Sequence, residues 1–463
     1  MIDLPFLKGH VAAVMGLGRS GLSAAKALLA SGAEVWAWDD KEETRESARK
    51  AGIPLVDLTS CDWKRPEIVV WSPGIPHTWP RPHPIAELAR KAGRPILCDI
   101  DLLLRARSEA SYVAITGTNG KSTTTSLIGH IFKKAGRKVA VGGNLGTPAL
   151  DLEPLSSQGT YVLELSSYQL ELVPSAGFGV AVLLNMTPDH LGRHGGMDGY
   201  IAAKRRIFDH QAPPATAIVG IDDDHGRRIC SELKALARSV VPISAETKVK
   251  GGVHAANGLL VDDRKGQNET VIDLNSVRTL PGRHNWQNAA AAYAAATESG
   301  LDQGAVVEAI RSFPGLAHRQ EFVGIKDGVR FVNDSKATNA DAAEKALVCY
   351  DAIYWILGGQ AKEGGIDSLS EHFGRVRHAF LIGEAALSFA HSLEGLADYT
   401  HCGDLARATE AAYDMARREG IEGAVVLLSP ACASWDQFKS FEDRGDQFRA
   451  LVNALPGNAG GDA

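Results

Sequence analysis

The most specific chemical motif in the chain is a glycine-rich turn, T-G-T-N-G-K-S-T, at residues 116–123. A short apolar run at 112–115 precedes the turn, and a helical stretch at about 121–135 follows it. A turn between a strand and a helix directs backbone N–H groups and the positive end of the helix toward one anion. From this position Lys121 could reach the outer phosphates of a nucleotide, and Ser122 could bind Mg²⁺. The motif therefore predicts a phosphate-binding loop.

The turn departs from the strict phosphate-loop pattern at one position. That pattern places glycine at 115, where this chain has Ile115, so we interpret the motif as a shortened form. The alternative is a glycine-rich turn that binds no ligand. We disfavour it because strand, turn, Lys-Ser pair and helix all agree. The phosphate-binding residues would be Gly117, Thr118, Asn119, Gly120, Lys121, Ser122 and Thr123.

A second glycine motif, G-L-G-R-S-G, lies at 16–21 after an apolar run at 11–15. An acidic residue, Asp39, follows the next apolar run at 34–38. This combination satisfies the dinucleotide-binding fingerprint and, taken alone, would indicate NAD. The same geometry can hold any nucleotide diphosphate, and the pattern is also compatible with a plain strand–helix turn. The residues leave these alternatives open.

Three further side chains could serve a metal or a proton transfer. Glu164 ends one apolar run, His190 follows another, and Lys204 lies in a helical stretch. The carboxyl ends of strands in an open α/β sheet cluster at the ligand crevice, where a carboxylate would hold Mg²⁺ through oxygen. Histidine alone is a poor Mg²⁺ ligand, and composition alone favours a solvated helix lysine at position 204.

The elements that must position these residues alternate between strands and helices, which predicts α/β domains with parallel sheets. A length of 463 residues exceeds what one core usually supports, and three segments emerge at 1–108, 109–314 and 315–463. We predict an alanine-rich helix at 285–299 and irregular or β-rich loops at 244–280. The predicted strands lie at 11–15, 34–38, 68–71, 112–115, 161–165, 180–185, 217–220, 352–357, 379–382 and 424–428.

Composition and charge exclude several classes of protein. A net charge of −6 disfavours a nucleic-acid partner, and the six cysteines form no C-x-x-C pair of the kind found in zinc sites. The first residues do not resemble a signal peptide, and no apolar run approaches the roughly 20 residues needed to cross a bilayer. We therefore expect a cytoplasmic enzyme without membrane insertion.

Several motifs together resemble the Mur ligase family, and the similarity spans nearly the whole chain. They occur in the family's order: the turn at 116–123, L-E-L-S-S-Y-Q-L at 163–170, N-M-T-P-D-H at 185–190, Y-I-A-A-K at 200–204, H-N-x-x-N at 284–288, H-R at 318–319, N-D-S-K-A-T-N at 333–339 and S-P-A-C-A-S at 429–434. The resemblance implies a Rossmann-like UDP-binding domain, a central ATPase domain with a phosphate loop and parallel sheet, and a C-terminal Rossmann-like amino-acid domain.

The resemblance also implies roles for individual residues. Lys121, Glu164, His190 and Lys204 would be catalytic, and Ser122, Glu164, His190 and Lys204, the last as a carbamate formed with CO₂, would serve two Mg²⁺ ions. ATP would contact the turn together with Asn285, Arg319 and Asp334. The UDP substrate would contact Arg19, Ser20, Asp39, Asp40, Lys41, Ser72, Pro73, Gly74, Asn144 and His190. The incoming amino acid would contact Lys336, Thr338, Lys362, Ser434 and Phe441.

The motifs at 333–339 and 429–434 imply which substrates the enzyme joins. They are typical of members that attach D-glutamate to UDP-N-acetylmuramoyl-L-alanine with ATP, through an acyl phosphate, in peptidoglycan precursor synthesis. We expect such an enzyme to act as a monomer. Trp435 stands where the family often has a smaller apolar residue. The residues themselves do not distinguish D- from L-glutamate.

Three other functions fit parts of the sequence. Another Mur-type amide ligase, specific for a different amino acid or similar to folylpolyglutamate synthase, would share the central motifs. An NAD-dependent oxidoreductase could be built on residues 1–108, but it leaves the turn at 116–123 without a role. A nucleotide-binding regulator without enzymatic activity would bind ATP and form no amide.

Overall fold

The computed structural model describes residues 1–175, 177–361 and 364–458. It contains three sheets of four, nine and six strands, each with helices beside it. The chain forms two compact units: unit 1 comprises Met1–Leu274 and Asn285–Ser312, and unit 2 comprises Asn275–His284 and the chain from Phe313 onward. The predicted fold class of three α/β domains is confirmed. The domain boundaries at 108/109 and 314/315 remain predictions.

The first sheet of unit 1 is parallel throughout, with the strand order β2-β1-β3-β4. Its strands and helices are β1 (Val11–Met15), α1 (Arg19–Ala30), β2 (Glu34–Trp38), α2 (Glu42–Lys50), β3 (Pro66–Trp71), α3 (Pro84–Lys91), β4 (Ile96–Leu97) and α4 (Asp99–Ala106). The connection from β2 to β3 crosses β1, so the strand order reverses between β1 and β3. Ligands of such sheets bind in the crevice at this reversal, outside the carboxyl ends of the strands.

The second sheet of unit 1 has the order β13-β12-β11-β10-β9-β8-β5-β7-β6, and among the described strands β12 alone runs antiparallel to both of its neighbours, β11 and β13. Its strands are β5 (Ser111–Thr116), β6 (Lys138–Gly143), β7 (Gly159–Glu164), β8 (Val180–Leu183), β9 (Thr216–Gly220), β10 (Ser239–Ser244), β11 (Val253–His254), β12 (Leu259–Asp262) and β13 (Glu269–Asp273). Its helices are α5 (Lys121–Lys134), α6 (Ser167–Leu170), α7 (Met197–Arg205), α8 (Asp224–Ala235), α9 (Arg283–Glu298) and α10 (Gln303–Arg311). The central position of β5 places the turn at 116–123 between the ends of β7 and β8.

The sheet of unit 2 has the order β14-β15-β19-β16-β17-β18, with only β14 antiparallel. Its elements are β14 (Glu321–Lys326), β15 (Val329–Asn333), α11 (Ala340–Leu347), β16 (Ile353–Gly358), β17 (Val376–Ile382), α12 (Ala386–Leu393), β18 (Tyr399–Gly403), α13 (Leu405–Glu419), β19 (Val425–Leu428) and α14 (Phe441–Ala454). The last strand, β19, inserts between β15 and β16, with Leu428 opposite Asn333. The motifs at 333–339 and 429–434 therefore begin at adjacent strand ends.

Apolar packing explains why these elements form. In unit 1 one continuous cluster of buried side chains runs from Ile2 to Leu233 and includes both sheets. In unit 2 separate clusters cover the two faces of the sheet. The alanine-rich helix α9 is buried along its whole middle, because alanine lets it pack closely against its neighbours. Within the described ranges, no helix is both long and apolar enough to span a membrane.

The predicted strands are all present, with ends that differ by at most three residues. Six strands were not predicted: β4, β6, β10, β14, β15 and β18. The sheet edge explains one of them, because β18 exposes four of its five residues and has no apolar run to mark it. The region at 244–280, predicted to be irregular or β-rich, contains β11, β12 and β13.

Candidate active site

The turn at 116–123 has the backbone geometry that its glycines predict. Gly117 has a φ of +152° and Gly120 a φ of +82°, and residues other than glycine rarely adopt these backbone angles. A Cβ atom at position 120 would also lie 2.2 Å from Oδ1 of Asn288, on α9. Helix α5 begins at Lys121, so the turn is the N-terminus of a 14-residue helix. This is the strand–turn–helix arrangement expected of a phosphate-binding loop.

The end of β8 holds this turn in place through Asn185. Its backbone oxygen accepts from the amide of Thr118 at 2.9 Å, and its Oδ1 accepts from the amide of Asn119 at 2.8 Å. Its Nδ2 donates to Asn119 O and to Oε1 of Gln287. Sequence analysis did not assign a role to Asn185 or Gln287, although both lie inside motifs of the resemblance. Their position directly after β8 and within α9 was the available signal.

Two lysine side chains meet at one carbonyl group of the turn. Nζ of Lys121 donates to Gly117 O at 2.9 Å and Thr118 O at 2.7 Å, and Nζ of Lys204 donates to Gly117 O at 2.8 Å. Lys204 is only 2% exposed, so the solvated helix lysine that composition alone favours is wrong. Burial, and next the charge of Lys121, lowers the pKa of Lys204 to about 7.

Helix α7 brings Lys204 to the turn together with a buried tyrosine. Tyr200 and Lys204 are four residues apart and therefore lie on one face of α7. The hydroxyl of Tyr200 is 3.0 Å from Oγ1 of Thr118, and Nζ of Lys204 lies 4.8 Å from the centre of the Tyr200 ring. The Y-x-x-x-K spacing therefore places α7 directly against the turn at 116–123.

Glu164, at the end of β7, is buried, and only one of its two carboxylate oxygens has a hydrogen-bond partner among the described residues. Its Oε1 accepts from Nδ2 of Asn144 at 2.7 Å, while its Oε2 is buried without a hydrogen-bond partner among the described residues. An ionised carboxylate oxygen in this state is costly unless a cation or donor joins it. Asn144 and Glu164, both predicted site residues, are thus in direct contact.

His190 is placed differently from the other predicted metal residues. It has a left-handed backbone conformation with φ 52°, and its side chain is 55% exposed. Its ring packs against Tyr168 with centres 5.2 Å apart, and Nε2 lies 3.5 Å from the Asp189 carboxylate. Nowhere in residues 1–175, 177–361 and 364–458 do three His, Cys, Asp or Glu side chains cluster as a metal site would need.

The crevice of the first sheet explains two of the three glycines of the motif at 16–21, Gly16 and Gly21. Gly16 has a φ of +86°, and a Cβ atom there would lie 2.6 Å from Cβ of Ser72, at the end of β3. A Cβ atom on Gly21 would lie 1.8 Å from the carbonyl oxygen of Gly16. The turn after β1 therefore packs so closely against Ser72 that no side chain fits at position 16, at the point where the strand order reverses.

Asp39 has a structural task in this crevice. Its Oδ2 accepts from the amide of Leu17 at 2.7 Å and its Oδ1 from the amide of Lys41 at 2.9 Å. Both oxygens therefore organise the turns, which weakens the interpretation that Asp39 recognises a ribose of NAD. The neighbouring Asp40 lies 2.8 Å from Nε2 of His83. Of the other predicted UDP contacts, Arg19 donates to Gly146 O.

An arginine that sequence analysis did not assign a role joins the two sheets of unit 1. Arg193 donates to Trp79 O at 2.7 Å and to Pro73 O at 3.2 Å, in the segment after β3. Its guanidinium carbon lies 4.7 Å from the centre of the Tyr168 ring. Arg193 follows the N-M-T-P-D-H motif by three residues, which is the only sequence signal for it. It links the predicted UDP segment at 72–74 to the region around His190.

In unit 2 the predicted amino-acid residues gather at the ends of β15 and β19. Nζ of Lys336 lies 4.8 Å from the centre of the Phe441 ring, and the amide of Thr338 donates to Lys336 O at 2.9 Å. Ser434 is buried, whereas the next residue, Trp435, is 66% exposed. Lys362, also predicted for this site, lies outside the described residues.

The three residues predicted for the adenosine part of ATP lie in different units. In unit 1, Oδ1 of Asn285 accepts from Nδ2 of Asn288 at 3.1 Å. In unit 2, Asp334 accepts from Oγ of Ser429 at 2.8 Å, and burial raises the pKa of its carboxyl group to about 7. Arg319 also belongs to unit 2. That these residues form one ATP site remains a prediction.

Comparison with protein families and known proteins agrees with this geometry. Residues 115–296 match the Mur ligase middle domain, and residues 318–432 match the domain described as Mur ligase, glutamate ligase domain. A protein of Paramagnetospirillum magneticum, named UDP-N-acetylmuramoylalanine–D-glutamate ligase, is 58% identical over 98% of this chain and 99% of its own. A protein of Rhodospirillum rubrum with the same name is 58% identical over 98% of this chain and 97% of its own.

A solved structure supports the fold. The UDP-N-acetylmuramate-alanine ligase of Thermotoga maritima superposes with a TM-score of 0.58 at 19% identity, covering 96% of this chain and 99% of the other. At this identity the likeness concerns the fold alone. The identity to full-length relatives, together with the two domain matches, shows that this chain belongs to the Mur ligase family.

Proposed function

We propose that this protein joins D-glutamate to UDP-N-acetylmuramoyl-L-alanine with ATP, in peptidoglycan precursor synthesis. The names of the relatives at 58% identity support this choice of substrates. The observation that carries the chemistry is the pair Lys121 and Lys204 on the Gly117 carbonyl of the phosphate-binding turn. We propose that the reaction takes place in the cytoplasm.

The reaction needs ATP because a carboxylate is a poor acyl donor. The carboxylate oxygen of the alanyl group attacks the γ-phosphorus of ATP, ADP leaves, and an acyl phosphate forms. The amine nitrogen of glutamate then attacks the carbonyl carbon, phosphate leaves, and the amine loses a proton as the amide forms. Catalysis of phosphoryl transfer depends mainly on positioning and on neutralising spread negative charge.

The turn at 116–123 would position ATP for this step. Its amides and the N-terminus of α5 favour the negative charge of the phosphates. Lys121, whose ammonium group already lies over the turn, would neutralise charge on the γ-phosphoryl group as it transfers. Asn285, Arg319 and Asp334 would hold the adenosine part.

Mg²⁺ fits the donor groups near this turn. The unsatisfied Oε2 of Glu164 and the hydroxyl of Ser122 are hard oxygen donors of the kind that Mg²⁺ prefers. Two Mg²⁺ ions, when bound, would supply positive charge to the phosphates of ATP and the acyl phosphate. Asn144 holds Glu164 at its other oxygen, and we assign His190 to the same region on the family resemblance.

We propose that Lys204 acts as a carbamate rather than as an ammonium ion. The neutral amine would add to CO₂, forming the N–C bond of the carbamate and releasing one proton. Complete burial beside Lys121 disfavours a second positive charge there, which supports the anionic form. The two carbamate oxygens would then complete the metal-binding donor set with Glu164.

The other substrates would occupy the two remaining crevices. The UDP part would lie at the turns after β1 and β3, with Arg19, Ser20, Asp39, Asp40, Lys41 and the segment 72–74. Glutamate would lie in unit 2 against Lys336, Thr338, Lys362, Ser434 and Phe441. One chain supplies every residue in these assignments, so we propose that a monomer is active.

The first test replaces the lysine of the phosphate-binding turn. We expect Lys121→Ala to lose ligation by at least about 1,000-fold, because charge on the transferring phosphoryl group is no longer neutralised. Phosphate release should be measured with all three substrates and with each one omitted. Circular dichroism should show an unchanged fold.

Lys134→Ala is the matched control, because that lysine is exposed at the other end of α5. It should leave activity unchanged. Near-normal amide formation by Lys121→Ala would contradict the ATP site. A panel of amino acids including both glutamate enantiomers tests the substrate separately, and turnover with another amino acid alone would favour a different Mur-type ligase.

A further inference from the structure

A fully buried arginine lies at the centre of the predicted amino-acid site. Arg444, on α14, is 0% exposed, and sequence analysis did not single it out. Its Nε donates to Oγ of Ser335 at 2.9 Å, and its Nη2 donates to Ser335 O at 2.8 Å and Cys432 O at 3.1 Å. Its Nη1 reaches Ala433 O at 3.4 Å. All three nitrogens of the guanidinium group are thus hydrogen-bonded.

These contacts tie together the two motifs that follow β15 and β19. Ser335 directly precedes Lys336, and Ala433 directly precedes Ser434. Oγ of Ser335 also donates to Phe441 O at 2.8 Å, one turn before Arg444 on α14. Three residues assigned to the amino-acid substrate are therefore held through backbone atoms that Arg444 contacts directly or through Ser335.

Arg444 has no salt-bridge partner among the described residues, and the nearby carboxylate of Asp436 offsets its charge only in part. Within the described ranges no carboxylate lies within 4.0 Å of its guanidinium group, and the acceptors are three carbonyl oxygens and a hydroxyl. Burial lowers the pKa of Arg444 to about 10, so the group stays charged near neutrality. Buried charges are normally paired, because an uncompensated charge is costly away from water. A bound anion would remove part of this cost.

We propose that Arg444 is a positioning residue for the amino-acid substrate, and that its buried charge, which no salt bridge neutralises, favours an amino acid with an anionic side chain. This inference rests on the proposed function and adds to it a cause for glutamate selectivity. Hydrogen bonds to the backbone shape the site, while the positive charge favours carboxylate over amide. The two roles predict different effects of substitution.

The experiment compares D-glutamate with D-glutamine as substrates of the wild type and of four variants. In Arg444→Gln, which removes the charge, we expect kcat/KM for D-glutamate to fall about 100-fold. The preference for D-glutamate over D-glutamine should fall at least about 10-fold, and KM for ATP and for the UDP substrate should change less than about 2-fold. Arg444→Lys keeps the charge and should raise KM for D-glutamate while keeping the preference. Ser335→Ala removes one acceptor and should behave like Arg444→Lys.

Arg449→Gln is the matched control on the same helix, because Arg449 is partly exposed and pairs with Glu321 at 2.8 Å. It should leave both the activity and the preference unchanged. An unchanged preference in a folded Arg444→Gln, or an equal loss of preference in Arg444→Lys, would overturn the selectivity claim.

If Arg444→Gln does not fold, the Arg444→Lys variant tests the positioning role. Equal increases of all three KM values in that variant would overturn it. Failure of the proposed function itself would show differently, as wild-type enzyme that forms no amide from D-glutamate.

Discussion

Burial determines the chemistry of single residues around the turn at 116–123. A lysine on a solvated helix is an ordinary cation, whereas Lys204 lies in the interior with its Nζ 2.8 Å from Gly117 O. A second cation, Lys121, bonds to the same carbonyl oxygen, so charge repulsion adds to desolvation. In the same environment, one carboxylate oxygen of Glu164 has no hydrogen-bond partner among the residues that the structure describes. A negatively charged modification of Lys204 would remove the repulsion between the two lysines. A bound cation would then give the free oxygen of Glu164 a partner.

We expect Lys204→Ala to lose at least about 100-fold in ligation rate and to recover part of it with formate or acetate, because a small carboxylate can return the missing anionic oxygens. Phosphate release as a function of acid concentration measures the recovery. Lys204→Arg is the control, since its guanidinium group fills the space and should block rescue. Full activity of Lys204→Ala without added acid would remove the carbamate from the proposal.

At the scale of elements, loops between strands of unit 1 are tied by a few buried polar groups. Arg193 holds the segment after β3 through carbonyl oxygens of Trp79 and Pro73. Nearby, Glu171 lies between His77, 3.1 Å away in that same segment, and His194, 2.9 Å away. These contacts place the turn after β3 relative to the second sheet, which positions the predicted UDP crevice.

We predict that Arg193→Ala raises KM for the UDP substrate about 10-fold or more, because charge-assisted hydrogen bonds to the segment after β3 are lost. KM for ATP should change little. Steady-state kinetics with each substrate varied in turn gives this comparison. Arg228→Ala, an exposed arginine on α8, is the control and should match the wild type. A parallel rise in all KM values would indicate general destabilisation instead.

Because of Glu171, we expect the free energy of unfolding to depend on pH in the acid range. Burial alone would raise the pKa of Glu171, but hydrogen bonds from His194 and His77 outweigh it and lower the pKa to about 2, against 4.5 for the free group. A carboxyl group with a lowered pKa stabilises the fold above its unfolded value and loses this contribution as pH falls toward its folded value. The stabilisation should therefore disappear between about pH 4.5 and pH 2.

We expect Glu171→Gln to be less stable than wild type by about 2–3 kcal/mol at pH 6, and the difference to shrink steadily below pH 4.5. Urea unfolding at several pH values measures it. Glu394→Gln, at an exposed ion pair, should show no such trend. A constant difference from pH 6 to pH 3 would contradict the assignment of the ionised form.

At the scale of the whole molecule, the chain forms two units that carry different predicted sites. A ligand stabilises the part that binds it, by about 2.7 kcal/mol at a concentration of 100 times its Kd. We therefore predict that UDP alone slows hydrogen exchange in the turns after β1 and β3 of unit 1, and leaves the turns after β15 and β19 unchanged. Mass spectrometry of peptides gives the exchange rates, and cytidine diphosphate serves as the matched nucleotide. Protection confined to unit 2 would move the UDP site away from the first sheet.

Local features of the fold and site could be predicted from the sequence. The strand–turn–helix at 112–135 and the one around the glycine motif at 16–21 could be predicted from neighbouring residues, because backbone conformation and periodicity are local properties. The edge strand β18 could not be predicted, because its stability comes from pairing with β17 rather than from apolar residues of its own. The polar contacts of Asn185 and Gln287 join segments 102 residues apart, and no local pattern marks them.

The sequence by itself determined the α/β class, the glycine-rich turn between β5 and α5 and the family, since these depend on short motifs and on the alternation of strands and helices. Only the tertiary structure decided that Lys204 is buried, that Arg193 joins the segment after β3 to Tyr168, and that Arg444 lies among the two motifs of unit 2. The physical reason is the order of strands. Burial and charge environment depend on which strand ends become neighbours, and the insertion of β19 between β15 and β16 is settled by packing over distances that exceed any local pattern.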